Sequence, residues 1–189
     1  MRQNLKWLAV VAIVSFLLVP AFAGAADSEV VEVKTNGSRT AEPNEHVKPL
    51  ERLIGTWRTP ANLGETDEGL NSYNVFSWGL GGQMLASKTY TVADGQESLA
   101  YEAWQYWHPG EESLKLTEIS ADGTIYEGTL SVEGDVITYF WKAYAGERVI
   151  EFKQTITFEG DNRYLFAAFA KDGDNWRRVI GATFVKDAE

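Results

Sequence analysis

Arg148-Val149-Ile150-Glu151-Phe152-Lys153-Gln154-Thr155-Ile156-Thr157-Phe158, followed by Glu159-Gly160-Asp161, carries the pattern of the whole chain. Ile150, Phe152, Ile156 and Phe158 alternate with Glu151, Lys153, Thr155 and Thr157, and Gln154 falls among the apolar set. Successive side chains of a strand point to opposite faces, so this is a strand with one dry face and one wet face. A glycine-bearing turn then ends it.

The same unit recurs in both directions. Turn chemistry stands at Leu80-Gly81-Gly82, Ala93-Asp94-Gly95, His108-Pro109-Gly110, Ala121-Asp122-Gly123, Glu133-Gly134-Asp135, Ala145-Gly146-Glu147 and Asp172-Gly173-Asp174. The segments between are expected as strands at about 56–60, 70–78, 83–92, 99–107, 113–119, 124–132, 136–144, 148–158, 163–171 and 176–186. Short connections make neighbours antiparallel, because a parallel crossover needs a dozen or more residues. A meander this long must curl up or leave sticky edges. The expected fold is therefore all-β: a single antiparallel up-and-down barrel of about ten strands. Small barrels of this kind have room for one ligand inside.

Other strands alternate less cleanly. Lys115 and Thr117 oppose Leu114 and Leu116 in the fifth. In the fourth, Leu99, Tyr101, Ala103 and Trp107 share a face with Gln105, against Glu102, Trp104 and Tyr106. The ninth is apolar on both faces, with Tyr164, Phe166 and Ala168 against Leu165, Ala167 and Phe169. A two-sided apolar wall implies a partly covered exterior, under the N-terminal helix or a second copy of the chain in a homodimer.

The first residues read as an export signal. Arg2 and Lys6 precede an apolar run over 7–19, at 13 residues too short to span a bilayer as a helix, and Ala21-Phe22-Ala23 offers a cleavage site. The expected organisation is a signal peptide over 1–23, a polar flexible linker over 24–45 and the barrel over 46–189. Cleavage would leave no integral membrane span and put the protein in the periplasm or outside the cell. There is no cysteine, so the core alone holds the fold. With 27 acidic and 17 basic residues the chain carries −10, and without Arg2 and Lys6 the balance is 27 to 15, or −12. Such a surface repels phosphate backbones and excludes nucleic acid as a partner. An outer-membrane barrel is disfavoured by turns that are nearly all short and by Glu151 and Lys153 in mid-strand.

Leu50-Glu51-Arg52-Leu53-Ile54-Gly55-Thr56-Trp57 resembles the opening of lipocalin-like (calycin-type) barrels, where a short helix leads into Gly-x-Trp on the first strand. Trp78-Gly79-Leu80-Gly81-Gly82-Gln83-Met84-Leu85 is similar to the second-strand turn of exported bacterial domains of unknown function that share this barrel. The resemblance implies a short helix plugging one end, and a floor closed by Trp57 beneath a basic side chain of the last strand. Arg177 and Arg178 are the candidates. Arg178 is chosen because alternation puts it with Trp176, Ile180 and Phe184.

A related branch of ten-stranded barrels holds haem through a histidine near the last strand. Here that strand has none, and the two histidines are His46 and His108, so no cofactor is expected. Two histidines without cysteine do not suit a zinc or copper site. The aromatic residues suit a pocket that grips a small apolar or amphipathic molecule, with Trp78, Tyr101, Trp107, Tyr126, Tyr139 and Trp141 as candidate contacts. The loop over 61–69 would gate it. An alternative is a barrel enzyme of isomerase or decarboxylase type, drawing acid–base groups from Tyr101, Glu102, Glu118, Tyr126, Glu127 and Tyr139. A third reading is a solid barrel serving assembly.

Overall fold

A computed structural model describes residues 42–60 and 71–188. The leader, most of the linker and the 61–69 loop lie outside the described residues. Ten strands follow in order: β1 (Gly55–Arg58), β2 (Ser72–Gly79), β3 (Met84–Ala93), β4 (Gln96–His108), β5 (Ser113–Ser120), β6 (Ile125–Glu133), β7 (Val136–Ala145), β8 (Arg148–Phe158), β9 (Arg163–Asp172) and β10 (Asn175–Lys186). Each pairs antiparallel with its sequence neighbours, and β1 also pairs with β10 through Trp57↔Lys186 and Arg58↔Val185, so the barrel is closed. Among the described residues no helix is long and apolar enough to cross a membrane.

The one helical element among the described residues is a 3-10 helix, Lys48–Leu53, with Pro49 in its first turn. Side chains three apart eclipse in this geometry, which puts Leu50 and Leu53 on one side, both fully buried in the core cluster. The segment spans one end of the barrel. Asn44 N–H donates to Gly82 O in the β2–β3 turn at 2.9 Å. His46 stacks on Trp107 at the end of β4, ring centres 3.9 Å apart. Arg52 donates to Asp135 at 2.6 Å and to the Gly160 carbonyl at 3.4 Å, in the β6–β7 and β8–β9 turns.

Trp57 is the centre of this plug. It has no exposed surface, and its Nε1 donates to the Leu53 carbonyl at 2.7 Å. Tyr164 and Phe158 pack against it with ring centres at 4.7 and 6.0 Å. The cation above the ring is Lys186, with Nζ 5.4 Å from the centroid. Gly55 opens the lane for it: φ there is +118°, and a Cβ would stand 2.8 Å from Lys186 Cε.

Arg178 therefore does not close the floor. The β9–β10 register slips between Arg178 and Ile180, a bulge at Val179. An extra residue reverses the facing of everything before it. Arg178 pairs with Phe169 on the outer side, is exposed, and lies over Gly181. A second slip, at Ala100 of β4, turns Leu99 away from the inward face of Tyr101 and leaves it 40 % exposed. On β9, Tyr164 and Ala168 are buried and Leu165 is 37 % exposed.

Replacing Trp57 by alanine should lower the free energy of urea unfolding by about 3–5 kcal/mol, because it empties the centre of the plug. Trp57→Phe keeps one ring, gives up the bond to Leu53 and part of the buried volume, and should cost clearly less than alanine. Equal costs would show that the indole hydrogen bond, not ring packing, holds the end shut.

Candidate ligand-binding cavity

Toward the opposite end the inner faces stand apart and leave a partly open cavity of about 340 Å³ among the described residues. Its two walls differ. From β2 to β6 come Asn74, Thr89, Tyr101, Gln105, Glu118 and Tyr126. From β7 to β10 come Trp141, Phe152, Ile156, Phe166, Val179 and Phe184, with Gln154 among them. The bulge at Val179 brings both Val179 and Ile180 to the lining. Gly128 also shapes it: a Cβ there would meet the Phe140 carbonyl oxygen at 2.0 Å and Trp141 Cα at 2.6 Å, so only glycine lets β6 lie this close under Trp141.

Of the six aromatic residues expected in a pocket, Tyr101, Tyr126, Tyr139 and Trp141 line the cavity. Trp78 and Trp107 lie nearer the plugged end: Trp78 packs against the core cluster, and Trp107 is stacked on His46. The rings form a row, with Tyr101 and Tyr126 edge-on at 6.0 Å, Tyr126 and Trp141 edge-on at 5.0 Å, and Trp141 stacked on Phe152 at 4.5 Å. Asn74 and Gln105 lie outside the expected set. Gln105 was legible as a polar residue in the apolar series of the fourth strand; Asn74 had no such signal.

Several polar groups of the wall are bonded to one another. Thr89 Oγ1 donates to Asn74 Oδ1 at 2.8 Å, and Asn74 Nδ2 donates to the Tyr164 hydroxyl at 3.1 Å. The Tyr139 hydroxyl donates to Gln105 Oε1 at 3.1 Å, and Gln105 is buried. Burial raises the Tyr101, Tyr126, Tyr139 and Tyr164 hydroxyls above the ordinary tyrosine pKa, so all four stay neutral near pH 7.

Two groups stand apart from this network. Trp141 Nε1 is buried without a hydrogen-bond partner. Glu118 shares the inner face of β5 with Leu116, across from Ala103 on β4 and Tyr126 on β6. No Lys, Arg or His among the described residues lines the cavity. The Glu118 side chain is partly buried and lines the cavity. Burial, with no compensating partner, pushes its pKa up to about 7. Asp122, one turn away, shows the opposite environment. It accepts from Ser120 Oγ and from Thr124 N–H at 2.9 Å, and those bonds hold its carboxyl below the usual range. Of the other acid–base candidates, Glu102 points outward to Lys88 at 3.0 Å and Glu127 is exposed.

No family model and no curated protein sequence matches the chain. Among solved structures it is similar to Rv2717c from M. tuberculosis, at 14% sequence identity and a TM-score of 0.52, over 78% of this chain and 100% of that one. At that identity the likeness is one of fold.

The raised Glu118 pKa has a stability consequence whose sign is fixed. Between pH 4.5, its ordinary value, and about 7, the folded protein holds a proton that the unfolded chain has released. Stability should therefore fall as pH rises through that window, by an amount on the order of 3 kcal/mol. Glu118→Gln removes the titration. Urea melts from pH 4.5 to 8 should show the variant gaining on the natural protein as pH rises; a constant gap would mean that Glu118 is solvated.

Proposed function

We propose that the protein is an exported lipocalin-like barrel that holds one small amphipathic molecule in its cavity. The observation that carries this reading is the cavity itself: about 340 Å³ within a closed barrel, plugged at one end, with one apolar wall and one polar wall. Such an interior suits a guest with an apolar body and one polar end. A guest that gives up about 200 Å² of apolar surface gains about 5 kcal/mol before the costs of association. Export rests on the leader-like residues 1–23, and places the binder in the periplasm or outside the cell.

A carboxyl that titrates near neutrality also fits a general acid, which supports the enzymatic reading. Binding is the better-supported role because the cavity itself carries it, whereas the enzymatic reading rests on the one carboxyl.

Organic extraction of the purified protein followed by mass spectrometry should yield a co-purified small molecule, and the emptied protein should bind the neutral dye N-phenyl-1-naphthylamine. Ala168→Phe, which fills the cavity from β9, should weaken the dye at least about tenfold and leave the fold intact by circular dichroism. Empty extracts together with no dye binding would overturn the proposal.

A further inference from the structure

We infer that the guest is an organic amine: an apolar body bearing one protonated nitrogen, seated with that nitrogen against Glu118 and beside the rings of Tyr101, Tyr126 and Trp141. This rests on reading the barrel as a small-molecule binder and narrows the class of molecule.

The first support is the unmatched charge. Glu118 lines the cavity with no cation among the described residues that line it, while Asn74, Thr89 and Gln105 have bonded one another or the wall tyrosines. An unpaired carboxylate in a partly enclosed space is costly, and a guest that brings the opposite charge removes the cost. The second is the row of rings. Tyr126 lies directly across from Glu118 in the β5–β6 register, and Tyr101 and Trp141 flank it at 6.0 and 5.0 Å. Ring faces attract cations, most of all where water is excluded. Ala103, the other cross-strand neighbour of Glu118, is too small to fill the space. The third is the apolar wall opposite, from Phe152 to Phe184, which suits a body and not a second charge. An acidic guest would meet Glu118 with like charge and find no cation. The chain's net charge of −10 also raises the local concentration of cations.

The groups facing Glu118 make the pH dependence simple. Tyr101 from β4, Tyr126 from β6 and Tyr139 from β7 stay neutral, and Asp122 in the β5–β6 turn stays ionised. Glu118 is the group that changes, around pH 7. Lowering the pH protonates it and removes the attraction for an ammonium.

The test is calorimetric titration of the purified protein with three probes of shared body: 2-(1-naphthyl)ethylamine, 2-(1-naphthyl)ethanol and 1-naphthylacetic acid. Near pH 8 the amine should bind on the order of ten- to a hundredfold tighter than the alcohol, with the acid weakest. The amine's advantage should shrink as the pH falls below about 7. Glu118→Gln, checked for folding by thermal melt, should abolish that advantage, so that amine and alcohol bind within a few-fold of each other; Glu118→Leu should do the same if glutamine perturbs the fold. An alcohol that binds as tightly as the amine, or an amine affinity unchanged in Glu118→Gln, overturns the amine inference and leaves the binding reading standing. Binding of none of the three overturns both.

Discussion

Nine of the ten strands meander with their sequence neighbours, and such a sheet would keep two open edges without β1. That strand has four residues, Gly55–Arg58, yet it pairs on both sides, with Phe76 to Tyr73 of β2 and with Lys186 and Val185 of β10. Closure removes the edges and fixes which side chains face inward around the whole circumference. It also places Trp57 where the plug needs it, because the strand that completes the cylinder is the one that carries the indole. Thr59 then ties the chain to the start of β2: its N–H and Oγ1 donate to the Ser72 carbonyl at 3.0 and 3.1 Å, and Ser72 N–H donates back to Oγ1 at 3.0 Å.

Inside the cylinder the two ends follow different physics. One end is dry packing: Leu50, Leu53 and Trp57 have no exposed surface, and Tyr164 stacks on Phe184 at 5.0 Å behind them. Toward the other end the same strands leave space, and polar side chains appear on the inner faces of β2 to β6. Several are neutral and mutually bonded, which is how a polar interior is made affordable. Glu118 breaks that rule, and the Trp141 N–H breaks it in the opposite sense, as a donor without an acceptor. An unpaired carboxyl on the lining and a buried donor without an acceptor together mark a place where a guest could be bound.

The barrel was legible in the sequence because turns and alternation are local. Gly95, Gly123, Gly134, Gly146, Gly160 and Gly173 all adopt the left-handed backbone that marked them as turn residues. Faces were legible only where a strand runs without interruption. In the structure Glu118 shares the inner face of β5 with Leu114 and Leu116, but alternation alone did not show which of the candidate carboxylates point inward. Arg178 and Leu99 were misplaced because Val179 and Ala100 bulge, and nothing in Arg178-Val179-Ile180 or in Leu99-Ala100-Tyr101 announces an extra residue. Depth along the axis was the other blind spot. Trp107 belongs to the inward series of β4 with Tyr101 but lies at the plug, because depth depends on strand tilt and stagger around the closed barrel. Lys186 escaped notice for the same reason: its place above Trp57 comes from the β1–β10 register, which joins the two ends of the domain.

Carbon-13 NMR titration of the side-chain carboxyls of glutamate-labelled protein reads the environment inside the barrel directly. A hollow cylinder with an unpaired inner carboxyl requires one glutamate to titrate near pH 7, and that resonance must vanish in Glu118→Gln. If every glutamate instead titrates in the ordinary range around 4.3, the carboxyl of Glu118 is in water, and the cavity is not the sheltered chamber described above.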